Sequence, residues 1–308
     1  SRPPCKLPWA EEGFLGEPAP GSGGRGRGMG AAVAGLAFMP PMRSAGELGA
    51  LRQEPRFLLL PNSEAAEPVA ALHLNRGAPV TVLYSHGNAE DLLDVKDNLS
   101  RMSEELNVNI LGYDYHGYGL SAGSCSEAAC CWAARAALGY LLEQGVERSS
   151  IILMGRSLGT GPTVDLAARE PGVAGVVLQS PVLSILRTRL SERLASAMEG
   201  VDLFDNGRKI AHVECPVFVI HGNDDRIVPR EHGEELCRRA PNAVRPWWAD
   251  GCGHNDVNGH RDYIGKLAEF LQFVRARQKR QWEDTVAAFA PKMVVFRRNA
   301  PKLLLTAI

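Results

Sequence analysis

From Arg56 onward the chain alternates short apolar runs with longer amphipathic ones. The apolar runs predict strands over Arg56–Leu60, Val69–Leu74, Val80–Ser85, Val108–Tyr113, Ile151–Gly155, Val173–Gln179, Val217–His221 and Val244–Ala249. The stretches between them predict helices over Asp91–Leu106, Ser126–Glu143, Thr160–Arg169, Arg230–Arg239 and Asp262–Arg277. Runs such as Ile151-Ile152-Leu153-Met154 have no polar alternation. A strand of that kind is buried on both faces, as in a parallel sheet covered by helices. Repeated strand–helix units build an α/β doubly wound architecture. Such sheets carry their chemistry beyond the carboxyl ends of the strands. The residues just after each strand are therefore the informative ones.

After the strand ending at Gly155 comes Gly155-Arg156-Ser157-Leu158-Gly159, a Gly-x-Ser-x-Gly run that opens a helix. A strand that turns abruptly into a helix leaves the serine strained, with its hydroxyl exposed, and the flanking glycines avoid clashes across the turn. The helix N-terminus favours negative charge beside that hydroxyl. A serine is a poor nucleophile without a base. The last predicted strand is followed by Asp250-Gly251-Cys252-Gly253-His254, which puts a histidine on a glycine-rich loop. His254 is the candidate general base. The strand before it leads into Gly222-Asn223-Asp224-Asp225. A carboxylate there would orient the histidine. Asp225 is favoured over Asp224, which suits a turn cap. The order serine, acid, histidine is that of an α/β-hydrolase.

The strand Val80–Ser85 leads into His86-Gly87-Asn88-Ala89. In this fold an N–H of that loop joins the N–H after the nucleophile to form an oxyanion hole. The candidate donors are the main-chain N–H of Leu158 and that of Asn88 or Ala89. His86 reads as a brace for its loop. Asp114-Tyr115-His116-Gly117-Tyr118-Gly119, after the next strand, reads as a glycine-rich turn near the mouth of the site. His73, His212, His221, His232 and His260 show no ligand spacing, so no metal site is expected, and serine chemistry of this kind needs no cofactor. Cys252 reads as incidental.

Composition adds limits. The chain has 308 residues, 45% hydrophobic and 22% charged, which excludes a wholly disordered or coiled-coil chain. Its 34 Lys and Arg nearly balance 35 Asp and Glu, which argues against nucleic acid as a partner. The Gly-Arg-Gly-Arg-Gly run near residue 25 is only a faint RNA-binding signal. Seven cysteines at irregular spacings form neither a disulfide framework nor a Cys-x-x-Cys pair. Reduced thiols point to the cytoplasm.

Ser85-His86-Gly87-Asn88-Ala89 and Tyr113-Asp114-Tyr115-x-Gly117-Tyr118-Gly119 resemble the alpha/beta-hydrolase domain-containing protein 17 family. So do Gly155-x-Ser157-x-Gly159-Thr160-x-Pro162-Thr163-Val164-Asp165-Leu166-Ala167 and Gly251-x-Gly253-His254-Asn255-Asp256. Phe38-Met39-Pro40-Pro41 is similar to the family's Phe-x-Pro-Pro segment. The resemblance implies an α/β-hydrolase fold: a mostly parallel central sheet with helices on both faces and a short cover segment. It implies a membrane-associated serine hydrolase that removes palmitate from protein cysteines, with Ser157, Asp225 and His254 as nucleophile, acid and base. It also implies S-acylated proteins as substrates, met at the cytoplasmic face of a membrane. An esterase acting on lipids or small molecules, or a non-catalytic scaffold, are the alternatives on the same fold. The chain departs from the family in lacking its N-terminal cysteine cluster, in having Arg156 where the family has Gln, and in a shorter, different segment between Pro181 and His212.

Three regions are expected: a flexible Gly/Pro-rich segment over 1–30, a hydrolase domain over 31–278 and a basic extension over 279–308. Met29-Gly30 has the form of a translation start, although Ala34 stands where a myristoylation signal has Ser or Thr. Ala31–Met39 is too short to span a bilayer and reads as a membrane-contacting helix ending at Pro40-Pro41. Between Lys266 and Lys302 there are nine Lys or Arg and three Asp or Glu. With Trp282, Phe289 and Phe296 among them, these residues suit an anionic membrane surface, or equally a solvated helix.

Overall fold

The computed structural model describes residues 37–65, 67–185 and 203–299, the stretch 285–299 by its backbone alone. Eight strands form one sheet: β1 (Phe57–Leu60), β2 (Val69–Leu74), β3 (Thr81–Ser85), β4 (Asn109–Tyr113), β5 (Ile151–Arg156), β6 (Gly175–Gln179), β7 (Val217–Gly222) and β8 (Trp247–Ala249). Their order across the sheet is β1-β2-β4-β3-β5-β6-β7-β8. β1 with β2 and β2 with β4 run antiparallel. Every other neighbouring pair is parallel. The helices are α1 (Ala45–Arg52), α2 (Leu92–Leu106), α3 (Glu127–Glu143), α4 (Thr160–Arg169), α5 (Arg230–Arg239) and α6 (Tyr263–Asn299), with a single helical turn at Asn206–Lys209.

The continuous apolar strands feed two cores. Leu83, Leu153, Val176 and Val219 face one, with Cys130 and Leu138 of α3, Val164 of α4 and Leu236 of α5. Their neighbours Val82, Ile152, Val177 and Ile220 face the other, with Leu51 of α1, Leu99 of α2 and Phe270 and Val274 of α6. Strand side chains alternate between faces, so an unbroken apolar run fills both sides at once. Burying each such side chain contributes roughly 1.5–3 kcal/mol. The sheet is therefore a rigid floor for the loops at its carboxyl edge.

Local signals set the helix ends. Asp91 caps α2 by accepting from Leu93 N–H at 2.9 Å, and Asn107 ends it in the left-handed conformation. Ser126 caps α3 through Ala129 N–H at 3.0 Å. α1 was not expected, although Ser44 and Glu47 form a reciprocal capping box at its start. β8 begins at Trp247 rather than Val244, because Pro246 has no N–H for the ladder; Val244 N–H still reaches Val217 O at 2.9 Å. The helix expected over Asp262–Arg277 runs on to Asn299. Among the described residues no helix is long and apolar enough to cross a membrane.

The expected segments over 1–30 and 31–36 lie outside the described residues, as do 186–202 of the cover segment, the tail after Asn299 and the side chains of Phe289 and Phe296. The two ends of the cover segment are pinned together, Ile185 N–H donating to Leu203 O at 3.0 Å.

Candidate active site

Ser157 stands between β5 and α4 with φ of +51°. That left-handed conformation costs a non-glycine residue about 1–3 kcal/mol and persists only where its surroundings hold it. The two glycines of the motif allow the packing that does so. A Cβ on Gly155 would come within 2.5 Å of Gly159 O and Thr163 Oγ1. A Cβ on Gly159 would overlap the main-chain oxygens of Ser85 and His86. The nucleophile turn thus lies directly against the end of β3. Thr160 Oγ1 donates to Ser157 O at 2.6 Å and closes the turn.

His254 reaches over from the loop after β8. Its Nε2 is 2.9 Å from Ser157 Oγ and its Nδ1 is 2.7 Å from Asp225 Oδ2. Asp225 Oδ1 accepts from the N–H groups of Ile227 at 2.9 Å and Val228 at 2.8 Å. A second imidazole, His221 Nε2, lies 3.2 Å from Asp225 Oδ2. Burial by itself raises the Asp225 carboxyl. The hydrogen bonds from His221, His254 and Val228 outweigh it and hold the group well below the usual carboxylate range. Asp224 is exposed and turns away, its N–H donating to Cys252 O at 2.9 Å. Of the two adjacent aspartates, Asp225 is the one that meets the histidine.

The loop after β3 lies beside this triad. Ala89 has φ of +56°, and its N–H faces Asn88 Oδ1 at 3.1 Å. Of the two candidate donors on this loop, Ala89 is therefore engaged, while the Asn88 N–H has no partner among the described residues. Leu158 occupies the first turn after the nucleophile, where N–H groups lack acceptors within the helix.

Three tyrosines hold that loop from the neighbouring strand and turn. Tyr113 Oη is 2.6 Å from Ser85 Oγ, Tyr115 Oη donates to His86 O at 2.6 Å, and Tyr118 Oη donates to Asn88 Oδ1 at 2.7 Å. The glycine-rich turn expected over Asp114–Gly119 is present, with Gly117 and Gly119 at positive φ. Its bracing tyrosines were not foreseen. The available signal is that Tyr113 ends β4, where it pairs with Ser85 at the end of β3. His86 braces the loop as well: Nδ1 is 2.8 Å from Gly87 O and its ring centroid is 4.2 Å from that of Tyr115. Burial pushes its imidazole down from the ordinary value.

Arg156 was also missed as a working residue. Its Nη1 donates to Glu90 Oε2 and its Nη2 to Asn255 Oδ1, both at 2.6 Å. Glu90 Oε1 in turn accepts from Gly87 N–H. One guanidinium therefore ties the nucleophile turn to the β3 loop and to the residue after His254. Cys252 contributes its carbonyl to a turn. Among the described residues no group of three or more His, Cys, Asp or Glu could hold a metal ion.

A serine hydroxyl, an imidazole and a carboxylate in line can move a proton from Oγ to Nε2 while the acid stabilises the resulting cation. Free N–H groups beside the hydroxyl can receive an oxyanion. This is acyl-transfer geometry.

No protein-family model matches the chain. Over 192 residues it is 41% identical to the Caenorhabditis elegans alpha/beta hydrolase domain-containing protein aho-3, covering 62% of this chain and 57% of that one. It is 40% identical over 192 residues to human alpha/beta hydrolase domain-containing protein 17C, again covering 62% and 57%. It is 37% identical over 195 residues to human protein 17B, covering 63% of this chain and 67% of that one. The chain thus spans less than two thirds of the length of the first two relatives. Among solved structures, the Pyrococcus furiosus esterase Pf2001 superposes with a TM-score of 0.61 at 18% identity, covering 76% of this chain and 97% of that one. Mouse alpha/beta hydrolase domain-containing protein 10 gives 0.53 at 19%, covering 72% and 99%. These structures establish the α/β-hydrolase fold.

Proposed function

The chain belongs to the alpha/beta-hydrolase domain-containing protein 17 family, and from that premise we propose that it is a serine hydrolase that removes palmitoyl groups from protein cysteine thioesters. The observation that carries the hydrolase reading is the unbroken line from Ser157 Oγ through His254 to Asp225, at 2.9 and 2.7 Å. Family membership supports the thioester substrate.

Ser157 Oγ attacks the acyl carbonyl, and His254 Nε2 takes its proton. Asp225 keeps the other imidazole nitrogen, Nδ1, protonated and stabilises the cation. The carbonyl oxygen gains negative charge and is held by the N–H groups of Asn88 and Leu158. The C–S bond breaks, and His254 returns the proton to the departing cysteine sulfur. Water then attacks the acyl-enzyme with His254 as base, which releases the fatty acid and restores Ser157. Substrates are S-acylated proteins reached at the cytoplasmic face of membranes, where the Lys and Arg excess after residue 266 favours anionic lipid.

Hydrolysis of a palmitoyl thioester by the wild type, beside Ser157→Ala and a palmitoyl oxyester, tests this. Thioester turnover is expected to exceed oxyester turnover and to fall about 10⁴-fold or more in Ser157→Ala and His254→Ala, with the melting temperature kept. Serine-dependent turnover of the oxyester alone would move the substrate to lipids or small esters. Undiminished turnover in Ser157→Ala would overturn the nucleophile, and no turnover with no fluorophosphonate labelling would make the chain a scaffold.

A further inference from the structure

The Asn88 side chain joins its own loop, where Oδ1 accepts from Ala89 N–H at 3.1 Å, to the chain ahead of β1. Its Nδ2 donates to Ala37 O at 2.6 Å, and its Oδ1 accepts from Met39 N–H at 2.9 Å. One amide group thus pairs with the main chain on both sides of Phe38, as a neighbouring strand would. Tyr118 Oη joins the same cluster, donating to Asn88 Oδ1 at 2.7 Å and accepting from Met39 N–H at 3.2 Å. Between the two paired residues, Phe38 points into the core and is 6% exposed. Its ring meets Phe204 edge-on, with centroids 6.2 Å apart. Phe204 lies against Gly161 of α4, where an added Cβ would overlap the ring. The strap Ala37–Met39 is therefore held between the β3 loop on one side and a residue seated on the nucleophile's helix on the other.

What the strap holds is a strained piece of chain. Ala89 keeps a left-handed backbone only because its neighbours over-determine it. Two restraints act on this loop from opposite ends. The Arg156–Glu90 pair fixes Gly87, and the strap with Tyr118 fixes Asn88. The Asn88 N–H direction follows from the peptide plane that these restraints set.

We propose that the strap Ala37–Met39 is part of the oxyanion hole, with Phe38, Tyr118 and the Asn88 side chain as positioning residues that aim the Asn88 N–H at the substrate carbonyl. The inference rests on the serine-hydrolase reading above. It assigns a positioning task to a segment that precedes the first strand and contains none of the triad. The strap's hydrogen bonds run to Asn88 and Tyr118 and none joins it to Ser157 or His254, so its effect falls on transition-state charge rather than on proton transfer.

The test uses the full chain with Tyr118→Phe, Phe38→Ala and Phe38→Leu. Three quantities are read: the second-order rate of labelling by a fluorophosphonate, kcat and KM on a p-nitrophenyl acyl ester, and affinity for a trifluoromethyl ketone whose adduct carries the oxyanion. Tyr118→Phe removes one oxygen and keeps the ring. It is expected to lower kcat and the labelling rate about tenfold and to weaken the ketone by the same factor, with KM within about twofold. The acid limb of the pH–rate profile stays in place, because the base is untouched. Phe38→Ala is expected to lose more, toward the roughly 10²–10³-fold of a missing oxyanion donor, and Phe38→Leu to recover most of it. Rates and ketone affinity within about twofold of wild type in a folded Tyr118→Phe would overturn the proposal. If Phe38→Ala does not fold, Tyr118→Phe decides alone. A wild type that is not labelled, or a Ser157→Ala protein that still is, would instead defeat the serine-hydrolase reading; labelling at Ser157 that ignores Tyr118 defeats only the strap.

Discussion

Two imidazoles and two main-chain N–H groups converge on the Asp225 carboxylate. Because its pKa in the fold lies below that of the unfolded chain, the charge adds stability above the unfolded value of about 4. That contribution is lost as the pH falls toward the folded value. Asp225→Asn keeps the volume and removes the charge. The stability gap between wild type and Asp225→Asn is expected to be flat above about pH 5 and to shrink below about pH 4. Urea unfolding across that range measures it, and a gap that widens in acid would contradict the assignment. The same variant should lose about 10⁴-fold in kcat, since nothing then holds the His254 tautomer. That Ser157, Asp225 and His254 could meet was legible in the sequence because each lies just past an apolar strand. The tyrosines and Arg156 were not, because their tasks depend on which strands are neighbours and on where long side chains point.

The elements divide in the same way. β5 and β7 were readable as continuous apolar runs, which burial on both faces of a sheet sustains over so short a length. The start of β8 was misplaced because one proline, Pro246, outweighs the apolar residues before it. α1 was passed over although its capping box stands in the sequence as Ser44 and Glu47, because its own residues are mostly exposed and give no apolar stripe. Between elements, the Arg156–Glu90 pair joins the last residue of β5 to the loop after β3, with side chains 11% and 18% exposed. Removing one partner leaves the other largely buried with its charge uncompensated, held only by Asn255 in the case of Arg156 or by Gly87 N–H in the case of Glu90. Arg156→Gln and Glu90→Gln are each expected to cost roughly 1–3 kcal/mol. The double variant should lose less than the sum, with a coupling of about 1 kcal/mol or more by denaturant titration. Strict additivity would mean that the pair is incidental.

Across the whole molecule, the two cores also decide thiol chemistry. Cys125, Cys130, Cys131, Cys215, Cys237 and Cys252 are all free. Burial pushes the Cys131 and Cys215 thiols up to about 12 and that of Cys237 to about 11. A thiolate is the reactive form. Alkylation of the native protein near pH 8 is expected to spare Cys130 and Cys131 relative to the unfolded chain, read by mass spectrometry, and a reductant should leave the melting temperature unchanged. Rapid native labelling of Cys130 would mean that the core under α3 opens readily.

The working groups are spread along the chain: the strap at Ala37–Met39, the loop at Gly87–Glu90, Ser157, Asp225 and finally His254, 97 positions after the serine it activates. A domain folds as a unit, and residues paired across a sheet from distant parts of the chain come together only when it does. The strap, for one, is seated against Phe204, which lies well after the serine in the chain. Until the stretch carrying Gly251-Cys252-Gly253-His254 has left the ribosome and docked beside β7, Ser157 is an ordinary alcohol. A chain that ended before His254 would lack the imidazole that meets Ser157 Oγ, however much of the rest of the site had formed.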